Sequence, residues 1–265
     1  MNPFDHPNAT ISAAASAIAL TLPRIVAAFA MLPLLTGQNM PSMARNSFFV
    51  SLAILIYPVA GAAAVEPMNG MQALWPLLVV KELFIGTLFG FLFSSVFWAI
   101  SAAGNLVDTK VGSNFAATVD PLQGHETSLT GQLLTQLAGW LFMTSGAFSL
   151  FLGLLMKSYA LWPVTRLLPH AARLGEAMII DDFASLLTLA LLLSAPAIVV
   201  LSLLDLSLGL VNRYAQQLNV FSLTLPLKAW VATWIVLLSL GTFVEVITRH
   251  LFANRGLLNL LRPLL

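Results

Sequence analysis

Arg24, Lys81, Glu82, Asp205 and Glu245 are ionisable side chains set in otherwise apolar stretches of this chain. A charge at bilayer depth is expensive unless it is paired or hydrated, so such groups are the first place to look for chemistry. A proton or ion path is one reading, but it needs Asp, Glu and His in a chain at helical spacing, and none follows these residues. Pairing that ties helices together is the simpler one. Glu245 and Arg249 stand four apart with the acid first, the favourable order on a helix.

The densest polar stretch is Gly104–Thr130, which gathers Asp108, Lys110, Asn114, Asp120, His125 and Glu126 between two long apolar segments. Gly112, the Asp120-Pro121 pair and Gly124 are turn formers, so part of it should leave the helix. Two readings stay open here: a solvated loop outside the membrane, or irregular backbone lining a wetted cavity inside protein. Ser128 beside His125 and Glu126 has the composition of a catalytic triad without its spacing or a nucleophile elbow. The four histidines are scattered with no HExxH spacing, and there is no cysteine. No metal site, cofactor site or catalytic residue is expected. A net charge of +1 offers no basic field for nucleic acid.

The elements that carry these residues follow from the charge count. Twelve Lys and Arg with 11 Asp and Glu cannot clothe the surface of a soluble 265-residue fold, and 58% of residues are apolar. Mean hydropathy is +0.89. Charge-free runs at 46–65, 83–107, 127–156 and 183–204 are each long enough to cross a bilayer as helix. Two further runs contain breaks, and the chain reads as six helical segments near 11–35, 46–65, 73–107, 127–157, 183–206 and 226–251. The apolar residues form continuous runs and not an alternation, which makes a strand barrel a poor alternative. Pro23, Pro33, Pro58, Pro76, Pro196 and Pro226 in or beside these segments predict kinks. Clusters of small residues such as 61–64 and 101–104 allow close helix approach. The expectation is one all-α membrane domain over 1–265, with a short tail at 1–10, a central polar loop at 108–126, and about six long, kinked helices arranged as hairpins.

The order of motifs resembles the export-gate T subunit of type III secretion systems, the counterpart of flagellar FliR. Arg24, Pro33, Pro41 and Arg45 resemble that family's opening, and Glu82, Gly86 and Gly90 its Glu-x-x-x-Gly-x-x-x-Gly segment. Gly104, Asp108, Gly112, Asp120, Pro121, Glu126 and Ser128 are similar to its central loop. Asp205, Arg213, Gln217, Asn219, Phe221, Pro226 and Lys228 are similar to its late signature. Val111 departs where injectisome members often place an Arg, and Lys110 stands one position early. Asp108 and the loop wording favour the injectisome branch over the flagellar one.

The resemblance implies an inner-membrane subunit of the secretion-system basal body, without catalysis or cofactor. It would join several copies of two smaller hydrophobic gate subunits and the switch, or autoprotease, membrane subunit, around a channel for unfolded secreted proteins. It also implies that the central loop plugs that channel, through Lys110, Gly112, Ser113, Asn114, Phe115, Asp120, Pro121, Gly124, His125 and Glu126. Arg24, Pro33, Pro41, Arg45, Glu82, Gly86, Gly90, Asp108, Asp205, Arg213, Asn219, Phe221, Pro226 and Lys228 take assembly or structural roles. The alternative is a small secondary transporter with broken helices, although no internal repeat is visible. Two local expectations follow. Residues 35–45 should be bent and non-helical, and Asp205, Arg213 and Lys228 should meet protein groups or an aqueous cavity.

Overall fold

The structure is a computed structural model that describes residues 7–34, 40–60, 75–112, 128–164, 175–214 and 220–253. Among the described residues it holds seven helices and no strand: α1 (Pro7–Met31), α2 (Ser42–Ala60), α3 (Trp75–Val111), α4 (Leu129–Thr144), α5 (Ala147–Leu161), α6 (Gly175–Tyr214) and α7 (Val220–Ala253). The all-helical class is as expected, and the count differs by one. The run 127–157 is two helices, because Gly146 takes a left-handed backbone (φ +84°) that stops propagation between α4 and α5. By length and apolarity α3, the 182–214 part of α6 and the 223–252 part of α7 can each cross a membrane, and α4 with α5 can form a fourth, broken span.

Several helices outrun the expected boundaries. The last turn of α3 takes in Asp108 and Lys110, α5 reaches Leu161, α6 already starts at Gly175, and α7 starts six residues before Pro226. Polar residues at a helix end cost little, since they reach water or partners there. Gly112 (φ +97°) then ends α3 by donating its N–H to the carbonyls of Asp108 and Thr109. At the first hairpin α1 stops at Met31 and α2 starts at Ser42, so no continuous helix joins Ile25 to Val50. Of the stretch 35–45 expected to be bent and non-helical, 35–39 lie outside the described residues and 42–45 are helical, because Pro41 is tolerated just ahead of a first helical turn. Pro33 lies in a turn after α1. Arg45 is already helical, and its N–H closes the first turn of α2 on the Pro41 carbonyl.

The chain forms two compact units. The first holds residues 1–94, 146–179 and 253–265. Its core is aromatic: Phe29 of α1 meets Phe48 and Phe49 of α2 at 5.5 Å each, and Phe151 of α5 edge-on at 5.1 Å. Such edge contacts add to dispersion, which holds helices together where lipid removes the hydrophobic drive. The second unit holds residues 95–145 and 180–252. There Val107 of α3, Ala197 and Leu201 of α6 and Ala232 of α7 form a buried cluster.

Candidate functional site

Two charged clusters, one in each unit, hold the residues singled out in the sequence. In the first unit, Glu82 on α3 receives Arg24 of α1 in a bidentate pair, Nε to Oε2 at 2.6 Å and Nη2 to Oε1 at 3.0 Å. Both side chains are fully buried. Lys81 Nζ reaches Glu82 Oε1 at 2.7 Å. That leaves two cations for one carboxylate, and α5 settles the excess. Arg24 Nη1 donates to Ser158 Oγ at 3.1 Å and Nη2 to the Trp162 carbonyl at 2.9 Å. Lys81 donates to the carbonyls of Pro163 (3.1 Å) and Val164 (2.8 Å). These carbonyls follow the C-terminus of α5, the end of a helix that attracts cations. Tyr159 lays its ring 4.1 Å under the guanidinium and donates its hydroxyl to the Thr21 carbonyl at 2.8 Å.

Gly86 and Gly90 continue the Glu82 face at four-residue steps. A Cβ on Gly86 would lie 2.2 Å from the Arg24 carbonyl oxygen, and one on Gly90 would lie 2.5 Å from that of Ala28. No side chain fits there. The two glycines bring α3 onto the backbone of α1, and this contact places Glu82 within reach of Arg24.

In the second unit, Asp205 of α6 takes Lys110 of α3 at 3.3 Å and a closer Lys228 of α7. Lys228 also points Nζ at the Lys110 carbonyl, 3.4 Å away. Again there are two cations for one carboxylate. Here Lys110 and Asp205 stay about one-third exposed. Just before Lys110, the Asp108 carboxylate accepts from Ser128 Oγ (2.6 Å), Thr130 Oγ1 (2.6 Å) and Thr130 N–H (3.0 Å). Ser128 caps α4 by accepting from the Gly131 N–H at 2.8 Å. The ends of segment 113–127 are thus joined through Asp108. Gly104 and Gly131 make that joint possible, since a Cβ on Gly104 would lie 2.3 Å from the Gly131 Cα.

The structure therefore unites Arg24 with Glu82, Gly86 with α1, and Asp205 with Lys110 and Lys228. Asp205 and Lys228 meet protein groups as expected, whereas Arg213 is exposed at the end of α6. Glu245 and Arg249 pair at 3.1 Å on an exposed face. Ser113, Asn114, Phe115, Asp120, Pro121, Gly124, His125, Glu126 and Asn219 lie outside the described residues, and so does the Phe221 side chain. Ser158, Tyr159, Trp162, Thr130 and Gly131 join these clusters without a local sequence signal that marks them. Lys157 had closed the apolar run just before Ser158, although Tyr159, Leu161 and Trp162 continue it.

The arrangement joins helices by charge and by hydrogen bonds to carboxylates. Residues 15–253 match the family described as bacterial export proteins, family 1. The chain is 33% identical over 248 residues to the Yop proteins translocation protein T of Yersinia pestis, covering 93% of this chain and 94% of that protein. It is 34% identical over 224 residues to the secretion system apparatus protein SsaT of Salmonella typhimurium, with 84% and 86% covered. It is 29% identical over 238 residues to the flagellar biosynthetic protein FliR of Bacillus subtilis, with 89% and 90% covered. With three to four apolar spans and this family match, the chain belongs to the bacterial export proteins, family 1, and is an integral membrane component of a protein-export apparatus.

Proposed function

We propose that the chain is the T-type subunit of an injectisome export gate. It is a multi-pass protein of the bacterial inner membrane, within the type III secretion basal body. There it helps form and close the path that unfolded secreted proteins take. The observation that carries this reading is the near full-length likeness to the Yersinia translocation protein. The family match also displaces the secondary-transporter alternative. In this reading the chain does no chemistry on its cargo. Its charges fix helices, and its neighbours are the two smaller gate subunits and the switch membrane subunit.

The same reading gives the segment between Gly112 and Ser128 the role of obstruction, with Lys110 and Gly112 at its stem. Support comes from that stem: Asp108 joins the end of α3 to the start of α4, so a polar segment is carried on a fixed base. Deleting 113–124 while keeping Asp108, Ser128 and Thr130 should leave the assembly in place and make cells leak ions or small solutes. The measurement is solute permeability, with assembly confirmed separately by co-purification. A tight membrane around a fully assembled complex would show that this segment is not the barrier.

A further inference from the structure

Among the described residues, the cluster at Asp205 carries more positive than negative charge. Lys110 and Lys228 share one carboxylate, and among the described residues no second acid pairs with them. The cluster in the first unit has the same composition, yet there the surplus cation is absorbed by three backbone carbonyls and an aromatic ring. In the second unit the described residues offer the surplus the Lys110 carbonyl, at 3.4 Å, and Lys110 remains about one-third exposed.

Its surroundings are apolar and open. On α6, Leu203, Leu206 and Leu210 are exposed on either side of Asp205, and on α7 Leu223, Leu227, Trp230 and Trp234 are exposed around Lys228. Helix α6 runs nine residues past Asp205 to Tyr214, and α7 begins eight residues before Lys228. At the helical rise both helices extend about 12 Å beyond the cluster. The cluster thus lies where α3 ends, against helices α6 and α7 that continue past it. The leucines and tryptophans flanking Asp205 and Lys228 suit the packing of another apolar helix, and a carboxylate on that helix would match the surplus charge.

We propose that the open face of α6 and α7 receives a transmembrane helix of another gate subunit, and that this helix carries an Asp or Glu that completes the cluster against Lys110. The partner is defined by its chemistry: an apolar span with one carboxylate at the level of Asp205. This rests on the export-gate reading and goes beyond it by naming the contact.

Lys110→Met separates the possibilities. It leaves Asp205 and Lys228 as a one-to-one pair, so the chain by itself loses a surplus charge and keeps its fold. If the partner carboxylate exists, the variant leaves that acid unpaired. Recovery of the other membrane subunits with the tagged, detergent-extracted chain should then fall about tenfold or more. Unchanged recovery overturns the proposal. So does loss of co-purifying acidic phospholipid with all subunits retained, which would assign the charge to a headgroup. The same loss in an Asp120→Asn, Glu126→Gln double variant overturns it too, by pointing to the chain's own segment.

A second measurement needs no variant. Zero-length carbodiimide coupling of the wild-type complex should join Lys110 or Lys228 to an acid of another subunit, located by mass spectrometry. Couplings confined to this chain overturn the proposal. A wild-type chain that brings down no other membrane subunit sinks the export-gate reading as well, whereas an indifferent Lys110→Met sinks the carboxylate alone.

Discussion

The clusters around Glu82 and Asp205 are built from the same parts, two cations and one carboxylate, and are finished in opposite ways. At Glu82 the charges are dry, and every surplus donor ends on a carbonyl, a hydroxyl or a ring of the same unit. At Asp205 the charges stay partly exposed, and among the described residues the surplus meets no second acid. The difference teaches that the composition of an ion cluster does not set its role. A closed cluster fixes the fold of its own chain, whereas an open one is available to something outside it.

The comparison breaks first at Glu82. Replacing it with Ala strands two buried cations, and removing one partner of a buried pair costs about 3–5 kcal/mol. Glu82→Ala should accumulate poorly in membranes and aggregate on extraction, seen as loss of the monodisperse peak in gel filtration. Asp205→Ala should accumulate nearly normally and fail later, in recovery of the whole complex. Asp205→Asn should be milder, because a hydrogen bond to Lys228 survives. Equal loss of accumulation in the Glu82 and Asp205 variants would erase the distinction between closed and open clusters.

The glycines give the next effect. Gly86→Ala would press a methyl into the Arg24 carbonyl and Gly104→Ala into Gly131, so each forces two helices apart. Overpacking of this kind costs about 1–3 kcal/mol. Gly153, Gly209 and Gly241 have nothing within 4 Å of an added Cβ. Alanine there should be neutral or stabilising by up to about 1 kcal/mol through helix propensity. Thermal melting in detergent orders the five variants. A destabilised Gly209→Ala with an unaffected Gly86→Ala would refute the close-approach account.

How much of this could be read from the residues alone depends on range. The Glu82, Gly86, Gly90 spacing marked a single helix face, and intramembrane Arg24 and Glu82 each asked for a partner. Neither said that they were each other's, because pairing across 58 positions is set by packing and not by local pattern. The break at Gly146 had a local signal, a Ser-Gly pair inside a charge-free run of 30 residues, longer than a span requires. It was outweighed by uniform hydropathy, which records burial in lipid and is blind to a single left-handed residue. Lys110 looked like a loop residue because it is charged. It is the last turn of α3 and reaches Asp205, a contact that only the meeting of α3 with α6 creates.

Asp108 supplies a smaller effect, on the joint beneath the 113–127 segment. Its carboxylate takes three donors, and hydrogen bonds to a charged acceptor contribute about 1.5–3 kcal/mol. Asp108→Ala should lower melting of the purified chain and permit cleavage by added protease between Val111 and Ser128. Asp108→Asn keeps one acceptor oxygen and should fall between the variant and wild type. Unchanged protease resistance in Asp108→Ala would mean that the joint does not depend on this carboxylate.

Glu245 and Arg249 should give the smallest change, and they sharpen the comparison from its other extreme. They pair at 3.1 Å, one helical turn apart, with about three-quarters of the Arg249 side chain exposed. An exposed pair of this kind contributes roughly 0.2–1 kcal/mol, since both partners regain solvent when it is broken. Glu245→Gln should therefore leave the melting temperature of the isolated chain essentially where it was. The same substitution tested in the assembled complex asks a different question. If this face of α7 stays wet, complex recovery is unchanged and insensitive to salt. If another subunit covers it, the pair is desolvated and its loss should lower recovery several-fold. The difference between the two measurements then shows whether the open surface of α7 ends near Trp234 or continues to the helix terminus.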